Sequence, residues 1–387
     1  MSKLASPREQ GEEIVRRPAI PWARPRLSGS EEPLVLDALR SSWISGGPYV
    51  ERLEREVADR MGIAHAVAVS NGTTALELAL RALNLETGAE VIVPGFTFVA
   101  AANMVLSLGL TPLYADVEAD TWLLDPAEIL RLSTARTKAV IPVHLYGNVA
   151  DMDAIAAAAS ERGLEVVEDA AEAAFSRHRG RCAGTIGRVG TLSFQATKTI
   201  TTGEGGMVVT ADDALAARSR TLRDHGMRKD KRYWHDVVGY NFRLTNLQAA
   251  IGCGQLQSLD RIMAERSAIH DGYKARLSGV TGIKLQHFDD RVEPVVWVTV
   301  VQLDDPDDLD AVRARRDRIM AGMADDGIET RPGFYDLSQL PPYGCPPLPV
   351  ARRVSASTIA LPTFVGLRSD DLDRICDSFR THLCRGG

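Results

Sequence analysis

Hydrophobic positions follow two alternating patterns from about residue 55 onward. Short, nearly continuous apolar runs predict buried strands, and longer stretches with apolar residues at helical spacing separate several of them. Strands that are apolar on both faces and alternate with helices predict a mostly parallel sheet covered by helices on both sides. The clearest predicted helices are 75–85 and 152–162. The predicted strands are 66–69, 91–94, 112–115, 139–143, 165–168, 191–194 and 207–210.

The pattern changes after a predicted helix at 211–222. A long helical segment runs from Thr245 to about residue 277, and Thr245 and Gln248 are spaced as a capping box. Residues 295–303 alternate like a strand, 307–326 read as a helix, and 330–350 are rich in proline and tyrosine. We therefore predict an α/β protein with three parts. They are a polar, flexible tail at 1–18, a large domain at 19–259 and a smaller C-terminal α/β domain at 260–387.

Composition narrows the class of protein. The 387 residues are 45% hydrophobic and 25% charged, which is ordinary for a globular protein with a sizeable core. A net charge of −6 and the lack of a Lys/Arg block argue against a nucleic-acid partner. The polar first residues predict neither a signal peptide nor a membrane span. Five widely spaced cysteines without a CxxC pair predict reduced thiols, a cytoplasmic location and no metal site.

The loop around Lys198 carries the most informative candidate chemistry. It reads Ser193-Phe-Gln-Ala-Thr-Lys198-Thr-Ile-Thr-Thr-Gly203-Glu-Gly-Gly206 and connects two predicted strands. An amine at a strand end among small and hydroxyl residues can form an internal Schiff base with pyridoxal phosphate (PLP). A surface lysine in a turn rich in threonine and glycine is the alternative, and the segment alone leaves both open.

Other strand ends offer groups that suit the same cofactor. Gly72 and Thr73 open a helix directly after a strand, where free amides bind a phosphate. Taken alone, this segment fits simple helix capping by Asn71 or Thr73 better than a phosphate site. Glu168 and Asp169 end another strand on opposite faces, so only one of them can pair with a pyridine nitrogen. They could instead be helix-start acids. Phe98 follows a further strand and could stack on a ring or belong to the core.

Taken together, these segments resemble the sugar aminotransferases of the DegT/DnrJ/StrS group. These are PLP enzymes of the aspartate-aminotransferase fold (fold type I), with a large domain on a mostly parallel mixed sheet and a smaller α/β domain. The match runs from about Ile20 to the C-terminus. Its landmarks are Ser42-Trp-Ile-Ser-Gly46, Asn71-Gly-Thr-Thr-Ala-Leu76, Val93-Pro-Gly-Phe-Thr-Phe98, Glu168-Asp-Ala-Ala-Glu172, Ser193–Gly206 and Gly239-Tyr-Asn-Phe-Arg243.

The resemblance implies a role for each matching residue. Lys198 is expected to hold PLP covalently and to move the proton between cofactor and substrate. Asp169, rather than Glu168, is expected to pair with the pyridinium nitrogen. Glu172 should lie near the ring oxygen, and Phe98 should stack on the ring.

The phosphate of the cofactor has its own expected partners. The resemblance assigns it to Gly72, Thr73 and Ser193. It further implies that Asn241 reaches the same phosphate from a second subunit. We therefore expect a homodimer with shared active sites.

The implied reaction moves an amino group from glutamate or glutamine to a keto-sugar through pyridoxamine 5'-phosphate. The stretches 223–241 and 331–343 look most like the perosamine-synthase branch, whose substrates are nucleotide-linked 4-keto-6-deoxy sugars. Asp336 and Ser338 depart from that branch, which usually carries Pro and His there. A keto-inositol or a keto-sugar acid without a nucleotide therefore stays open as the substrate. Trp43, His235 and Arg331 are the candidate substrate contacts.

Three other classes fit less well. A related sugar dehydratase branch replaces the lysine with histidine, and this chain has Lys198. A regulator that merely binds PLP would normally carry a basic DNA-binding module, and the sequence has no such patch. An NAD-binding protein would need a glycine fingerprint that the sequence lacks.

Overall fold

The computed structural model describes residues 19–228, 230–304 and 308–384, so the predicted tail at 1–18 lies outside the described residues. Within these ranges the helices are α1 (Glu31–Arg40), α2 (Pro48–Met61), α3 (Gly72–Leu83), α4 (Ala100–Ser107), α5 (Pro126–Leu132), α6 (Met152–Arg162), α7 (Asp213–Arg223), α8 (Asn246–Gln257), α9 (Leu259–Leu277), α10 (Leu309–Asp325), α11 (Pro349–Ser357) and α12 (Ser369–Cys384). The strands are β1 (His65–Val69), β2 (Glu90–Pro94), β3 (Thr111–Ala115), β4 (Thr137–Val140), β5 (Glu165–Asp169), β6 (Arg177–His178), β7 (Arg181–Cys182), β8 (Val189–Ser193), β9 (Gly206–Thr210), β10 (Ile283–Leu285), β11 (Val292–Glu293), β12 (Val300–Leu303), β13 (Arg331–Pro332) and β14 (Thr358–Ala360).

The main sheet contains the seven strands predicted between residues 66 and 210. Its order is β1-β9-β8-β5-β4-β2-β3. Only β9 is antiparallel to its neighbours, and the other pairings are parallel. The prediction of a mostly parallel sheet is therefore confirmed. Because β5 and β8 pair in parallel, their carboxyl ends open at the same edge, where ligands bind in sheets of this kind.

Helix α3 covers this sheet next to β8 and β9 and begins at the same edge. Leu76 and Leu80 are buried at helical spacing, which fixes the apolar face of the helix. Asn71 caps it, since its Oδ1 accepts the amide of Thr74 at 2.8 Å. The helix starts at Gly72, three residues earlier than the sequence pattern predicted.

Two predictions in the C-terminal half need correction. The capping box of Thr245 and Gln248 is confirmed, but the long helix is two helices, because the backbone at Ser258 leaves the helical conformation. Only the last part of 295–303 forms a strand, β12. The first part is drawn away from the sheet: the amide of Val295 donates to Ser176 Oγ at 2.9 Å, and the amide of Trp297 donates to the Tyr146 carbonyl at 3.0 Å.

Buried apolar side chains form two cores. The larger core surrounds the main sheet, and the smaller one lies around the four-stranded sheet β10-β12-β14-β13. Helix α9 contributes to both, with Leu259 in the first core and Tyr273 in the second. Ile20 belongs to the second core, although the boundary that we predicted assigns it to the large domain. None of the helices within the described ranges is both long and apolar enough to cross a membrane.

Candidate active site

A pocket of about 680 Å³ opens where β5, β8 and the first turn of α3 meet. Its walls come from distant parts of the chain, because parallel strands bring their carboxyl ends to one edge of the sheet. Seven of the residues predicted from the sequence line this pocket. They are Gly72, Thr73, Phe98, Asp169, Glu172, Ser193 and Lys198.

Lys198 lies in the loop after β8 and points into the pocket. Its amide donates to the Gln195 carbonyl at 2.9 Å, which forms a tight turn. Its side chain is only 14% exposed, and Nζ lies 3.4 Å from Glu172 Oε1. Nζ also lies 3.7 Å from the centre of the Trp297 ring. The amine is therefore held between a carboxylate and an aromatic face, both of which attract its cationic form.

Asp169 and Glu168 face opposite sides of β5, as strand alternation predicts. Glu168 is fully buried outside the pocket and accepts the amides of Gly184 at 2.8 Å and Ile186 at 2.6 Å, together with His144 Nε2 at 3.0 Å. Asp169 lines the pocket, where its Oδ1 accepts the amide of Ala171 at 3.0 Å. Between the two acids, the structure thus leaves only Asp169 facing the pocket.

Burial controls the charge of the two acids in the pocket. It raises the pKa of Asp169, and the Ala171 amide and Lys198 offset this only in part. It also raises the pKa of Glu172, against the attraction of Lys198 and the amide of Tyr146. Burial thus disfavours the ionised form of both carboxyl groups, and a positive charge bound beside them would strongly favour that form.

The start of α3 suits a phosphate. The first amides of a helix have no carbonyl partner within it, and they carry the positive end of the helix dipole. A Cβ on Gly72 would lie 2.8 Å from the Cβ of Ser193, so glycine is what lets the helix approach β8 so closely. Thr73 is exposed beside them. These groups and the buried Asp169 fit the two ends of PLP, an anionic phosphate and a cationic ring nitrogen.

Aromatic residues that the sequence analysis missed form the opposite wall. The Tyr146 ring stacks on Phe334 with centres 5.6 Å apart, and Trp22 meets Trp297 edge to face at 5.8 Å. Trp22, Trp297 and Phe334 line the pocket. Phe98 is 54% exposed, and its ring lies 5.9 Å from that of Phe334. No local motif marks Trp22, Tyr146 and Trp297, which come from distant parts of the chain.

Arg331 lines a second pocket of about 390 Å³ that adjoins the first. The two pockets share Trp22, Phe98, Trp297 and Phe334. Arg331 is exposed, pairs with Glu329, and lies with its guanidinium carbon 5.8 Å from the centre of the Trp22 ring.

Three predicted site residues lie outside both pockets of the single chain. Trp43 is 62% exposed, and His235 and Asn241 are also exposed. Asn241 Oδ1 accepts Arg243 Nε at 3.1 Å, while His235 Nδ1 lies 2.9 Å from the His225 carbonyl oxygen.

The residues that depart from the perosamine-synthase pattern do not line either pocket. Asp336 is fully buried, and its Oδ1 accepts the amide of Ser338 at 3.2 Å. Its carboxylate also accepts Gln339 Nε2, and its own amide donates to Ser355 Oγ at 3.1 Å. Asp336 thus caps a short turn and lines neither pocket.

Comparison with known proteins agrees with this geometry. The chain is 41% identical over 363 residues to GDP-perosamine synthase of Caulobacter vibrioides, covering 92% of this chain and 96% of that one. The structure of DesV of S. venezuelae in complex with a ketimine intermediate is 34% identical, with a TM-score of 0.87 over 94% of this chain and 98% of that one. DesI in the presence of its TDP-sugar product is 33% identical, with a TM-score of 0.87 over 95% and 94%.

The family model of the DegT/DnrJ/EryC1/StrS aminotransferases matches residues 25–380. This match includes the main sheet, most of both cores and every pocket-lining residue except Trp22. The fold, the lysine pocket and the relatives agree with one another. The chain belongs to the DegT/DnrJ/EryC1/StrS aminotransferase family and is a PLP-dependent aminotransferase.

Proposed function

We propose that this enzyme transfers an amino group from glutamate or glutamine to a nucleotide-linked 4-keto-6-deoxy sugar. One observation carries the proposal: a single pocket holds the Lys198 amine, the buried Asp169 carboxylate and the free amides at the start of α3. The nucleotide-linked substrate is supported by two relatives whose names carry a GDP-sugar and a TDP-sugar.

The binding roles follow from charge and position. Gly72, Thr73 and Ser193 hold the phosphate at the helix start, where amides and dipole favour an anion. Asp169 pairs with the ring nitrogen and keeps it protonated, since a buried carboxylate without a cation is costly. Glu172 would lie near the ring oxygen. PLP bound in this way supplies an electron sink for the substrate carbon that loses a proton.

Lys198 has two tasks in this proposal. Its Nζ would hold the cofactor covalently, and the freed amine would move a proton between the cofactor and the substrate carbon. The contacts of Nζ with the Trp297 ring and with Glu172 limit its motion, so the amine stays within reach of both atoms. Phe98 would stack on the cofactor ring.

The adjoining pocket is proposed for the sugar. Its walls are mostly aromatic, with Arg331 as the cation at its edge. Aromatic faces pack against the apolar face of a sugar ring, and a guanidinium suits phosphate oxygens of a nucleotide. Trp43 and His235 are further proposed contacts, which a second subunit would bring to the site.

A homodimer with shared active sites is part of the proposal. Asn241 lies outside the pocket of its own chain, so its proposed contact with the phosphate requires a partner subunit. Exposed apolar side chains nearby support such an interface, because large apolar groups in solvent mark protein contacts. They include Tyr233, Trp234, Val237 and Val238.

We further propose a cytoplasmic location. Cysteines that remain thiols are typical of a reducing compartment. The five cysteines of the chain are free: Cys182, Cys253, Cys345, Cys376 and Cys384.

Two measurements test the proposal. Borohydride reduction of the purified protein followed by peptide mass spectrometry should find the cofactor on Lys198, and label on another lysine would refute the assignment. The pyridoxamine-loaded protein is then offered GDP- and TDP-linked 4-keto-6-deoxy sugars, a keto-inositol and a keto-sugar acid. We expect amination of a nucleotide-linked sugar alone; amination of another class instead would overturn the proposed substrate.

A further inference from the structure

Arg266 on α9 is a buried cation beside the lysine loop. The residue is only 4% exposed. Its Nη1 donates to the Trp297 carbonyl at 2.9 Å and the Val296 carbonyl at 3.5 Å, and its Nη2 donates to the Lys198 carbonyl at 3.3 Å. Among the described residues, no carboxylate forms an ion pair with it, and its buried Nε has no hydrogen-bond partner.

Burying such a charged group in a protein interior is energetically unfavourable. Burial lowers the pKa of Arg266 to about 10, because water no longer solvates the charge. A buried charge is normally paired or replaced by an apolar side chain. Arg316, which is 2% exposed, follows this rule: it contacts the Asp317 carboxylate through Nε at 2.9 Å. Arg266 is an exception, because it has no carboxylate partner among the described residues. It lies where its guanidinium reaches the backbone carbonyl of Lys198.

The carbonyls that Arg266 holds belong to a closed network around the Lys198 amine. Trp297 Nε1 donates to the Thr197 carbonyl at 2.7 Å, and the ring of Trp297 faces Lys198 Nζ. Arg266 binds the backbone of both Trp297 and Lys198 from the other side. Two chain segments about one hundred residues apart in sequence are therefore fixed to each other on both sides of the lysine.

We propose that Arg266 is a positioning residue for the cofactor lysine. Its guanidinium bridges the carbonyls of Lys198 and Trp297, and this bridge holds the Lys198 amine against the Trp297 ring and within reach of the pocket. The inference rests on the proposed role of Lys198 as the cofactor lysine. Arg266 touches neither cofactor nor substrate and acts only through the two backbone segments.

The test uses two variants and one matched control in the full-length protein. Arg266→Met removes the charge and all donors at similar length, and Arg266→Lys keeps the charge but loses the planar fork that reaches two carbonyls. Arg316→Met is the control, because it deletes an equally buried arginine that does not contact the pocket.

Hydrogen exchange in the cofactor-free protein is the first readout. Charge-assisted bonds hold the segments together, so we expect amides of 197–202 and of Trp297 to exchange about tenfold faster in Arg266→Met. The same amides should change little in Arg316→Met. In the PLP-loaded enzyme, kcat should fall about 10- to 100-fold while KM for the amino donor stays within about threefold, because misplacement affects the reacting geometry rather than binding. Arg266→Lys should recover part of kcat.

The outcomes separate this inference from the proposed function. If borohydride labels a lysine other than Lys198, the proposed function fails first. If Lys198 is labelled but the exchange rates in Arg266→Met match those of the control, the positioning role is wrong. A kcat in Arg266→Met equal to that of the wild type would also overturn it. Should Arg266→Met fail to fold, Arg266→Lys with normal exchange and normal kcat would lead to the same conclusion.

Discussion

Asp169→Asn should reduce catalysis and leave the cofactor-free protein at least as stable as the wild type. The substitution preserves the volume, and the remaining side-chain oxygen can still accept the amide of Ala171. It removes only the negative charge and one acceptor that faces the pocket. The substitution should therefore lower kcat while it keeps or raises Tm, and this combination makes the prediction specific.

The catalytic loss can be estimated from the bond that disappears. A hydrogen bond to a charged group contributes about 1.5–3 kcal/mol. At about 1.4 kcal/mol per factor of ten, kcat should fall at least roughly 10- to 100-fold. The true loss should exceed this range, because an unprotonated ring is also a weaker electron sink.

The stability effect follows from the direction of the pKa shift. Burial raises the pKa of Asp169 in the folded protein above its ordinary value. The ionised carboxylate is therefore less favourable in the folded than in the unfolded state, and its contribution to stability falls as pH rises through the interval between the two pKa values. At neutral pH, the neutral amide of the Asp169→Asn variant avoids this cost, so we expect the cofactor-free variant to have an equal or higher Tm.

Glu168→Gln is the matched control on the opposite face of the strand. Burial alone would raise the pKa of Glu168, but His144 and the amides of the 184–187 loop outweigh it and lower the pKa. The ionised Glu168 therefore stabilises the folded protein at pH values above the ordinary pKa of a glutamate. This stabilisation is lost as pH falls through the lowered pKa of Glu168. The side-chain NH2 of a glutamine would point a donor toward those amide donors, so we expect the free energy of unfolding to fall by about 3 kcal/mol or more.

Thermal unfolding of both cofactor-free variants between pH 5 and 8, with turnover measured in parallel, checks the reasoning. We expect low turnover with retained Tm for Asp169→Asn and a lowered Tm for Glu168→Gln. Turnover of Asp169→Asn within about threefold of the wild type would refute the role of Asp169. A fall in Tm as large as that of Glu168→Gln would refute the stability argument.

Four further substitutions, used in three experiments, test other parts of the site. Gly72→Ala should raise the Kd for PLP about tenfold or more in a titration, because the new methyl group meets Ser193. Asn241→Ala and Lys198→Ala should each be inactive alone, yet mixed subunits should recover about a quarter of the wild-type activity, since half of the dimers would carry one intact shared site; no recovery would contradict a shared site. Arg331→Gln should raise KM for the nucleotide sugar about tenfold with KM for the amino donor unchanged, and equal changes would contradict its role.

Local sequence patterns predicted the secondary structure around the site well. Seven apolar runs became the seven strands of the main sheet, and the capping residues of α8 were read correctly from Thr245 and Gln248. These features depend on neighbours in sequence. The alternation in β5 even showed that Glu168 and Asp169 point to opposite faces, because that follows from the period of a strand alone.

The remainder of the site depends on distant contacts that no local pattern encodes. Which acid faces the pocket is settled by the amides at 184–187, which close over Glu168 from another part of the chain. The alternation at 295–303 looked like one strand, but hydrogen bonds to Ser176 and Tyr146 pull its first half away. Trp297 reaches the lysine for that reason, and the sequence analysis missed it.

The position of Ile20 has a consequence for how the protein is made. Ile20 forms a bridge with Ile328, its amide donates to the Gly327 carbonyl at 2.9 Å, and the adjacent Trp22 donates its amide to Glu329 at 3.0 Å. On the ribosome, this early segment must wait for partners synthesised some three hundred residues later. Trp22 is also a wall of the active pocket. A nascent or truncated chain that ends before this region therefore has an incomplete pocket, so catalysis requires translation to continue at least through Glu329.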